Sequence, residues 1–288
     1  MATLPHAEDD PGPVEKLLHW ASYGAVAAGE ALVRDILRDA RYADPLRLER
    51  CGRKLYSQND EDGIIAEIFR RIGERSRRFV EIGVEQGTEN NTLALLYGGW
   101  SGVWVEGVEP YVRAIRERFP RWTADGRLRV VPAIVTAENV DSLLLAADAG
   151  GEVDLLSIDI DGNDYYVLEA LTAVRPRAVV AEYNARFAPP IRWRMPYDPG
   201  FRWDGSDHFG ASLQSLGELM SGRGYALVGC NLTGNNAFFV RRELAQGKFQ
   251  EPFDAANHYQ PARYYLTSIF YGVAGGHGTN PRDDGLAS

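Results

Sequence analysis

From residue 78 the chain alternates between short apolar runs and stretches whose apolar positions recur at helical spacing. The runs predict strands at 78–82, 103–106, 128–134, 154–159 and 177–183, and the spacing predicts helices near 90–98, 110–119, 137–148 and 164–173. The strand runs lack strict apolar–polar alternation, which marks parallel strands covered on both faces. In segment 110–119, Pro110 falls in the first turn, where a missing N–H is harmless, and Val112, Ile115 and Phe119 form the inward stripe. A further helix over 211–223 carries Leu213, Leu216, Leu219 and Met220, and is followed by apolar runs at 225–230 and 237–240. The loop from Leu232 to Asn236 joins these last two runs, and its glycine and asparagines tolerate positive φ. The pattern predicts an α/β, Rossmann-like domain with a mostly parallel seven-stranded sheet, closed by an antiparallel hairpin of strands 6 and 7.

Ahead of this core, residues 14–39 read as a helix through Leu17, Leu18, Ala21, Val26, Leu32, Ile36 and Leu37. Such a helix is expected to cover an edge of the core or a second copy of the chain in a homo-oligomer; its polar face is not basic, which disfavours a membrane surface. Ser57-Gln58-Asn59-Asp60 predicts a helix cap opening onto Ile64, Ile65, Ile68, Phe69 and Ile72. The expected organisation is an N-terminal helical extension over 1–54, a catalytic domain over 55–245 with an insertion at 185–210, and a C-terminal extension over 246–288. Residues 1–12 and the glycine-rich stretch beyond Gly272 are expected to be loose.

Composition narrows the partners. A net charge of −9 over 288 residues, with no basic stripe, argues against nucleic acid. The least polar N-terminal stretch, Ala21 to Gly29, is too short for a membrane span. Cys51 and Cys230 stand far apart and form neither a disulfide framework nor a zinc pattern. Glu8, Asp9 and Asp10 occupy the place of a basic leader, so the expected location is cytoplasmic.

The chemistry concentrates at strand ends. Phe79-Val80-Glu81-Ile82-Gly83-Val84-Glu85-Gln86-Gly87 is an apolar run ending in a glycine-bearing turn, and Glu106 ends the next run 23 positions after Gly83. That is about the offset at which an acidic side chain takes a ribose diol in nucleotide folds, so an adenosine-bearing cofactor is expected. Gly83 and Gly87 are expected to let backbone pass close to it. A dinucleotide site wants G-x-G-x-x-G; this chain has E-x-G-x-x-x-G, and Glu81 beside a phosphate would be repulsive, whereas beside an amino group or a ribose it would be attractive.

Glu81 to Gly87 resembles motif I of the class I S-adenosylmethionine (SAM) dependent methyltransferases. On that likeness the cofactor set is Gln58, Glu81, Gly83, Gly87, Thr88, Glu106, Gly107 and Asp159, and the sheet is that of the class I methyltransferase fold. The second signal is Ile158-Asp159-Ile160-Asp161-Gly162, at the end of the fourth strand; it fails the spacing of a calcium loop. Glu182 and Asn184 end the neighbouring strand, so Asp159, Glu182 and Asn184 are expected to converge where open α/β sheets bind ligands and to suit Mg²⁺. The same residues also fit plain hydrogen bonding to substrate or SAM, an arginine partner for Glu182, and a turn cap at Asn184.

Together with Ser57-Gln58-Asn59-Asp60-Glu61-Asp62-Gly63 and Glu106, these motifs look like the FkbM-type branch of SAM-dependent O-methyltransferases, over about residues 55–240. The resemblance implies methyl transfer to a hydroxyl of a sugar on a polysaccharide, glycolipid or glycosylated natural product. A methyltransferase for another small acceptor (a phenol, amine or carboxylate) and a noncatalytic SAM-fold module are the alternatives. The insertion 185–210 mixes Phe187, Trp193, Tyr197, Phe201, Trp203 and Phe209 with Arg186, Arg192, Arg194 and Arg202. It is expected either to close as a lid, with rings against a sugar face, or to pack on itself. His208 in that insertion is the expected base, with Asp159 and Asp161 as the other catalytic groups and His258 in reserve. His6, His19 and His277 stand in segments not expected to reach the pocket.

Overall fold

The computed structural model describes residues 12–267, so His6, His277, the first eleven residues and the glycine-rich tail lie outside the described residues. Seven strands form one sheet: β1 (Arg78–Ile82), β2 (Ser101–Glu106), β3 (Leu128–Pro132), β4 (Gly151–Ile158), β5 (Val174–Glu182), β6 (Tyr225–Cys230) and β7 (Asn236–Arg241). Their order is β3-β2-β1-β4-β5-β7-β6. The pairs among β1 to β5 are parallel, and β7 runs antiparallel between β5 and β6. This is the α/β arrangement that the sequence predicts, a mostly parallel seven-stranded sheet closed by an antiparallel hairpin of strands 6 and 7.

The two-residue period of the strands sorts side chains into two cores. Val80, Ile82, Val179, Ala181 and Phe239 join one cluster, with helices Asp164–Ala170 and Leu213–Gly222 supplying Leu168, Leu213 and Leu216. Phe79, Ala178, Val180, Phe238 and Val240 join the other, against Ile64, Ile65 and Ile68 of helix Glu61–Ile72. By this alternation Glu81, Glu182 and Asn236 fall on the second face, the one that helix Glu61–Ile72 covers.

Helix Glu109–Arg118 has Pro110 in its first turn and buries Val112 and Ile115, as its spacing predicts. Two expectations need correction. The helix expected near 90–98 is only Leu93–Tyr97, because Asn90, Asn91 and Thr92 hydrogen-bond to Glu81 instead. The Ser57–Asp60 cap is reversed: no side chain caps the helix at Asp60, and the Asp62 carboxylate, inside the first turn, accepts the N–H groups of Leu55, Tyr56 and Ser57 and the Ser57 hydroxyl.

The N-terminal helix spans Pro13–Ile36. Val33, Ile36 and Leu37 pack on Tyr42, Leu232 and Leu266, while Leu17, Leu18 and Trp20 are exposed. Among the described residues no helix is long and apolar enough to cross a membrane.

Candidate active site

Three turns meet at the carboxyl ends of β1, β2 and β4. After β1, Gly83 adopts a φ of 80° and donates its N–H to the Val105 carbonyl at 3.0 Å; a Cβ there would lie 1.7 Å from the Asp159 carbonyl oxygen. Gly87, at φ 71°, would drive a Cβ to 2.7 Å from the Trp104 ring. Both glycines are therefore required, but for a reason the sequence does not show: what approaches closely is the chain's own β4 end and its own indole. Glu85 between them has φ 47° and Asp161 in the β4 turn has φ 54°. Left-handed backbone at residues with a Cβ costs about 1–3 kcal/mol each and collects at functional sites.

Glu81, expected to meet a ligand, is instead saturated by its own loop. It accepts from Asn90 Nδ2 and the Asn91 N–H at 2.7 Å each, from the Thr92 N–H at 3.1 Å and from the Thr92 hydroxyl at 2.5 Å. Thr92 in turn accepts from Trp104 Nε1, and Asn91 Nδ2 donates to Ser157. Burial pushes the Glu81 acid up, and these donors oppose the push. Its role is to shape loop 85–92.

Glu106 lies where a ribose-binding carboxylate is expected, at the end of β2, and is buried. Its Oε2 accepts from the Val84 and Glu85 N–H groups and its Oε1 from the Val108 N–H. Three of about four acceptor positions are thereby filled, so one remains for a ligand hydroxyl rather than two. Of the other expected cofactor residues, Thr88 is half-buried, and Gln58 and Gly107 are exposed.

Beside these turns stands an acidic triad. One carboxylate oxygen from each of Asp159, Asp161 and Glu182 lies within 4.8 Å of the other two. Asp161 is exposed, Asp159 half-buried and Glu182 buried. Burial pushes the acids of Asp159 and Glu182 well above the ordinary carboxylate range; Asp161 and Asp164 add to the effect on Asp159, and Asp159 and Asp164 to that on Glu182. Glu182 Oε2 is buried with no hydrogen-bond partner.

Asn184, expected beside these carboxylates, has its amide engaged with the insertion. Its Nδ2 donates to the carbonyls of Asp207 and Phe209 and its Oδ1 accepts the Arg186 N–H, so the amide anchors both ends of the insertion to β5.

The insertion packs over the β4 turn. Phe201 fills the space a Cβ on Gly162 would need, 2.5 Å away; Asn163 Nδ2 donates to the Asp198 carbonyl, and the Arg194 guanidinium lies 4.7 Å above the Tyr165 ring. His208 is exposed and sits edge-on to Trp193 at 6.1 Å, with no hydrogen bond or ring contact to the triad. His258 is removed from consideration as a base: its Nε2 faces the Gln250 carbonyl at 3.0 Å, and burial, with Arg47 nearby, lowers its pKa to about 3.

A second polar cluster was not anticipated. Glu61, the first residue of its helix, accepts at Oε1 from the amides of Asn59, Asn231 and Asn236, and at Oε2 from the Asn59 N–H. Asn236 pairs directly with Glu182 across β5 and β7. The buried, unpartnered hydroxyl of Tyr264 belongs to the same neighbourhood: burial, then the charge of Glu182, pushes its pKa to about 12. The one available signal was the density of asparagines in Asn231-Leu232-Thr233-Gly234-Asn235-Asn236, which also reads as an ordinary turn.

No protein-family model and no curated protein matches this sequence. Among solved structures the chain is similar to the N-terminal domain of EvdMO1 with S-adenosylhomocysteine bound, at 17% identity over 72% of this chain and 94% of that one, with a TM-score of 0.41. It is also similar to an O-methyltransferase from Bacillus cereus, at 16% identity over 75% and 89% with a TM-score of 0.38. Magnesium protoporphyrin IX methyltransferase from Synechocystis PCC 6803 gives 12% identity over 74% and 97%, with a TM-score of 0.40. At this level of likeness no chemistry carries over from them.

Proposed function

We propose that the protein is a SAM-dependent O-methyltransferase that uses a divalent cation to methylate a hydroxyl of a sugar. The observation that carries this reading is the Asp159–Asp161–Glu182 triad with its orphaned Glu182 oxygen, beside the Gly83 turn. Three carboxylates at this separation repel one another. The donor set is all oxygen, which would suit Mg²⁺.

The rim also fits SAM better than a dinucleotide. Burial raises the Glu85 acid, and the charges of Asp161, Glu106 and Glu89 raise it further. That negative rim favours the sulfonium and ammonium of SAM and opposes a pyrophosphate. Glu106 offers its remaining acceptor position to a ribose hydroxyl.

When bound at the triad, a divalent cation supplies Lewis acidity toward the acceptor oxygen. The chain's own contribution is positioning and proton transfer. Asp159 and Glu182 hold the site from two adjacent strands. Asp161, the exposed member, takes the hydroxyl proton as the acceptor oxygen forms its bond to the methyl carbon. The carbon–sulfur bond breaks with its electron pair left on sulfur, giving S-adenosylhomocysteine. His208, in the insertion, is the alternative base. The insertion 185–210 serves as the lid, and the helical segment ahead of residue 55 and the segment beyond 245 act as extensions of this domain.

Incubation with isotopically labelled SAM and a panel of methyl hexopyranosides, read by mass spectrometry with and without a chelator, tests the proposal. Label should enter the glycoside, stop on chelation and return with Mg²⁺, while calorimetric SAM affinity stays unchanged. Asp161→Asn should slow transfer by about 10²–10⁴-fold. Transfer that survives exhaustive chelation would remove the metal, and absence of SAM binding would overturn the cofactor assignment.

A further inference from the structure

Glu61 turns three amides toward itself, and that fixes what they present elsewhere. Asn59, Asn231 and Asn236 all donate Nδ2 to Glu61 Oε1, at 3.1, 2.7 and 3.0 Å. An amide whose nitrogen is held this way must direct its oxygen elsewhere. The Asn231 oxygen is used at once, accepting the N–H groups of Asn235 and Asn236. The oxygens of Asn59 and Asn236 are not: both are buried without a partner, in residues 0% and 3% exposed. A buried polar atom left unsatisfied is costly, so each of these oxygens calls for a donor.

Their position says what the occupant is near. Asn236 and Glu182 are directly paired in the antiparallel β5–β7 ladder, which puts their side chains on one face with Cβ atoms about 5 Å apart. Glu182 Oε2 is itself an orphaned acceptor. Glu61 is also close enough to Asp159 for its charge to raise that acid. Asn236 therefore stands beside the triad on the β7 side, and the shared Glu61 carboxylate ties Asn59 to it.

We infer that the Asn59 and Asn236 side-chain oxygens form an acceptor-recognition subsite, oriented by Glu61, that takes hydroxyl donors of a polyol flanking the hydroxyl to be methylated. The inference rests on the methyltransferase reading and adds residues to it. A polyol supplies several hydroxyl donors without a competing positive charge, one for each acceptor-only amide oxygen. A phenol or a simple amine lacks the second donor. Glu61 is a positioning residue here: it meets no substrate and sets the polarity of the two amides.

Saturation-transfer NMR of the intact protein with methyl hexopyranosides tests this, with calorimetric SAM binding as the parallel measurement. Asn59→Ala and Asn236→Ala should each weaken glycoside binding at least tenfold while SAM affinity stays within twofold of the parent. Glu61→Gln keeps the shape but allows its own amide to donate, which lets Asn59 and Asn236 flip and present nitrogen. It should reproduce the loss of glycoside affinity with thermal stability retained, an outcome that misfolding would not give. Unchanged glycoside affinity in folded variants, or no glycoside binding to the parent, would overturn the subsite and leave the oxygens to buried water. Glycoside binding that the alanine variants lose, in a protein that never binds SAM, would keep the subsite and remove the methyltransferase reading.

Discussion

β4 carries Asp154 within it and Asp159 one residue beyond it, and the fold treats the two acids in opposite ways. Asp154 is 0% exposed, and its carboxylate is surrounded by donors: the N–H groups of Arg75, Ser76 and Arg77, the Ser76 hydroxyl, and Arg177 Nη1 at 2.7 Å. Burial alone would raise its pKa; Arg177 and the three backbone donors outweigh burial, and it falls below the ordinary value. Asp159 has no such partners, faces Asp161, Asp164 and Glu182, and titrates far above the ordinary value. The amino end of the sheet is therefore electrostatically complete, while the carboxyl end is complete only with something the described residues do not supply. A satisfied buried charge holds a fold together; an unsatisfied group of them marks where a ligand belongs.

The largest effect expected from breaking this contrast is at the satisfied end. Asp154→Ala removes the partner of Arg177, which is itself buried and whose other hydrogen bonds among the described residues go to the carbonyls of Ile72 and Gly73. It also strands three backbone N–H groups. Denaturant unfolding should show a loss of about 3–5 kcal/mol, the range for breaking a buried pair by removing one member. A loss under about 1 kcal/mol would mean that the network is not a stabilising one.

The asymmetry also explains what could be read from the sequence. Strand runs such as Val80–Ile82 and Val179–Ala181 are written in apolar residues, and burial on two faces permits little else, so the sheet was legible. Glu81, Glu106 and Asp159 were legible as acids at strand ends, but their partners were not. Glu81 is satisfied by residues nine to eleven positions later and Glu61 by Asn231 and Asn236, 170 and 175 positions away. Which carboxylate is free for a ligand depends on such remote donors, and no spacing rule encodes them. Asn184 shows the same limit: it stands two residues past Glu182, the end of β5, yet the return of the insertion at Asp207 and Phe209 claims its amide.

A smaller effect is expected at the unsatisfied end, with the opposite sign. Glu182→Gln without added cation should leave stability unchanged or raise it, because it removes one of three mutually repelling charges. The parent should gain stability with Mg²⁺, by about 2.7 kcal/mol once the free ion is a hundredfold above its dissociation constant. Glu182→Gln should lose most of that gain. Thermal melts across a Mg²⁺ titration read both quantities. An equal gain in the variant would place the ion elsewhere, and destabilisation by Glu182→Gln in the absence of cation would show the triad to be satisfied as it stands.

The smallest effect per step is the pH dependence, where one titrating group changes stability by at most about 1.4 kcal/mol per pH unit. The two ends contribute opposite limbs. Acids raised in the folded state bind protons more tightly there than in the unfolded chain. Their stability is present below the ordinary carboxylate values and is lost as pH rises through the folded ones, about 6 for Asp164 and about 8 for Asp60, each raised chiefly by burial. Asp159 and Glu182 share that sign. Groups lowered in the folded state act the other way. The contribution of Asp154 is lost as pH falls below about 4, and that of His258 is lost as pH falls from about 6.5 toward its folded value of about 3. Without cation, stability should peak near the bottom of the neutral range and decline on both sides. Mg²⁺ should flatten the alkaline limb only, since a cation replaces the protons that the triad would otherwise need, and Asp60→Asn should flatten it partly. His258→Gln should flatten the acid limb and leave the alkaline one intact. Unfolding at fixed denaturant across pH 4–9 separates the limbs; an alkaline limb that ignores both Mg²⁺ and Asp60→Asn would sink the contrast between the two ends of the sheet.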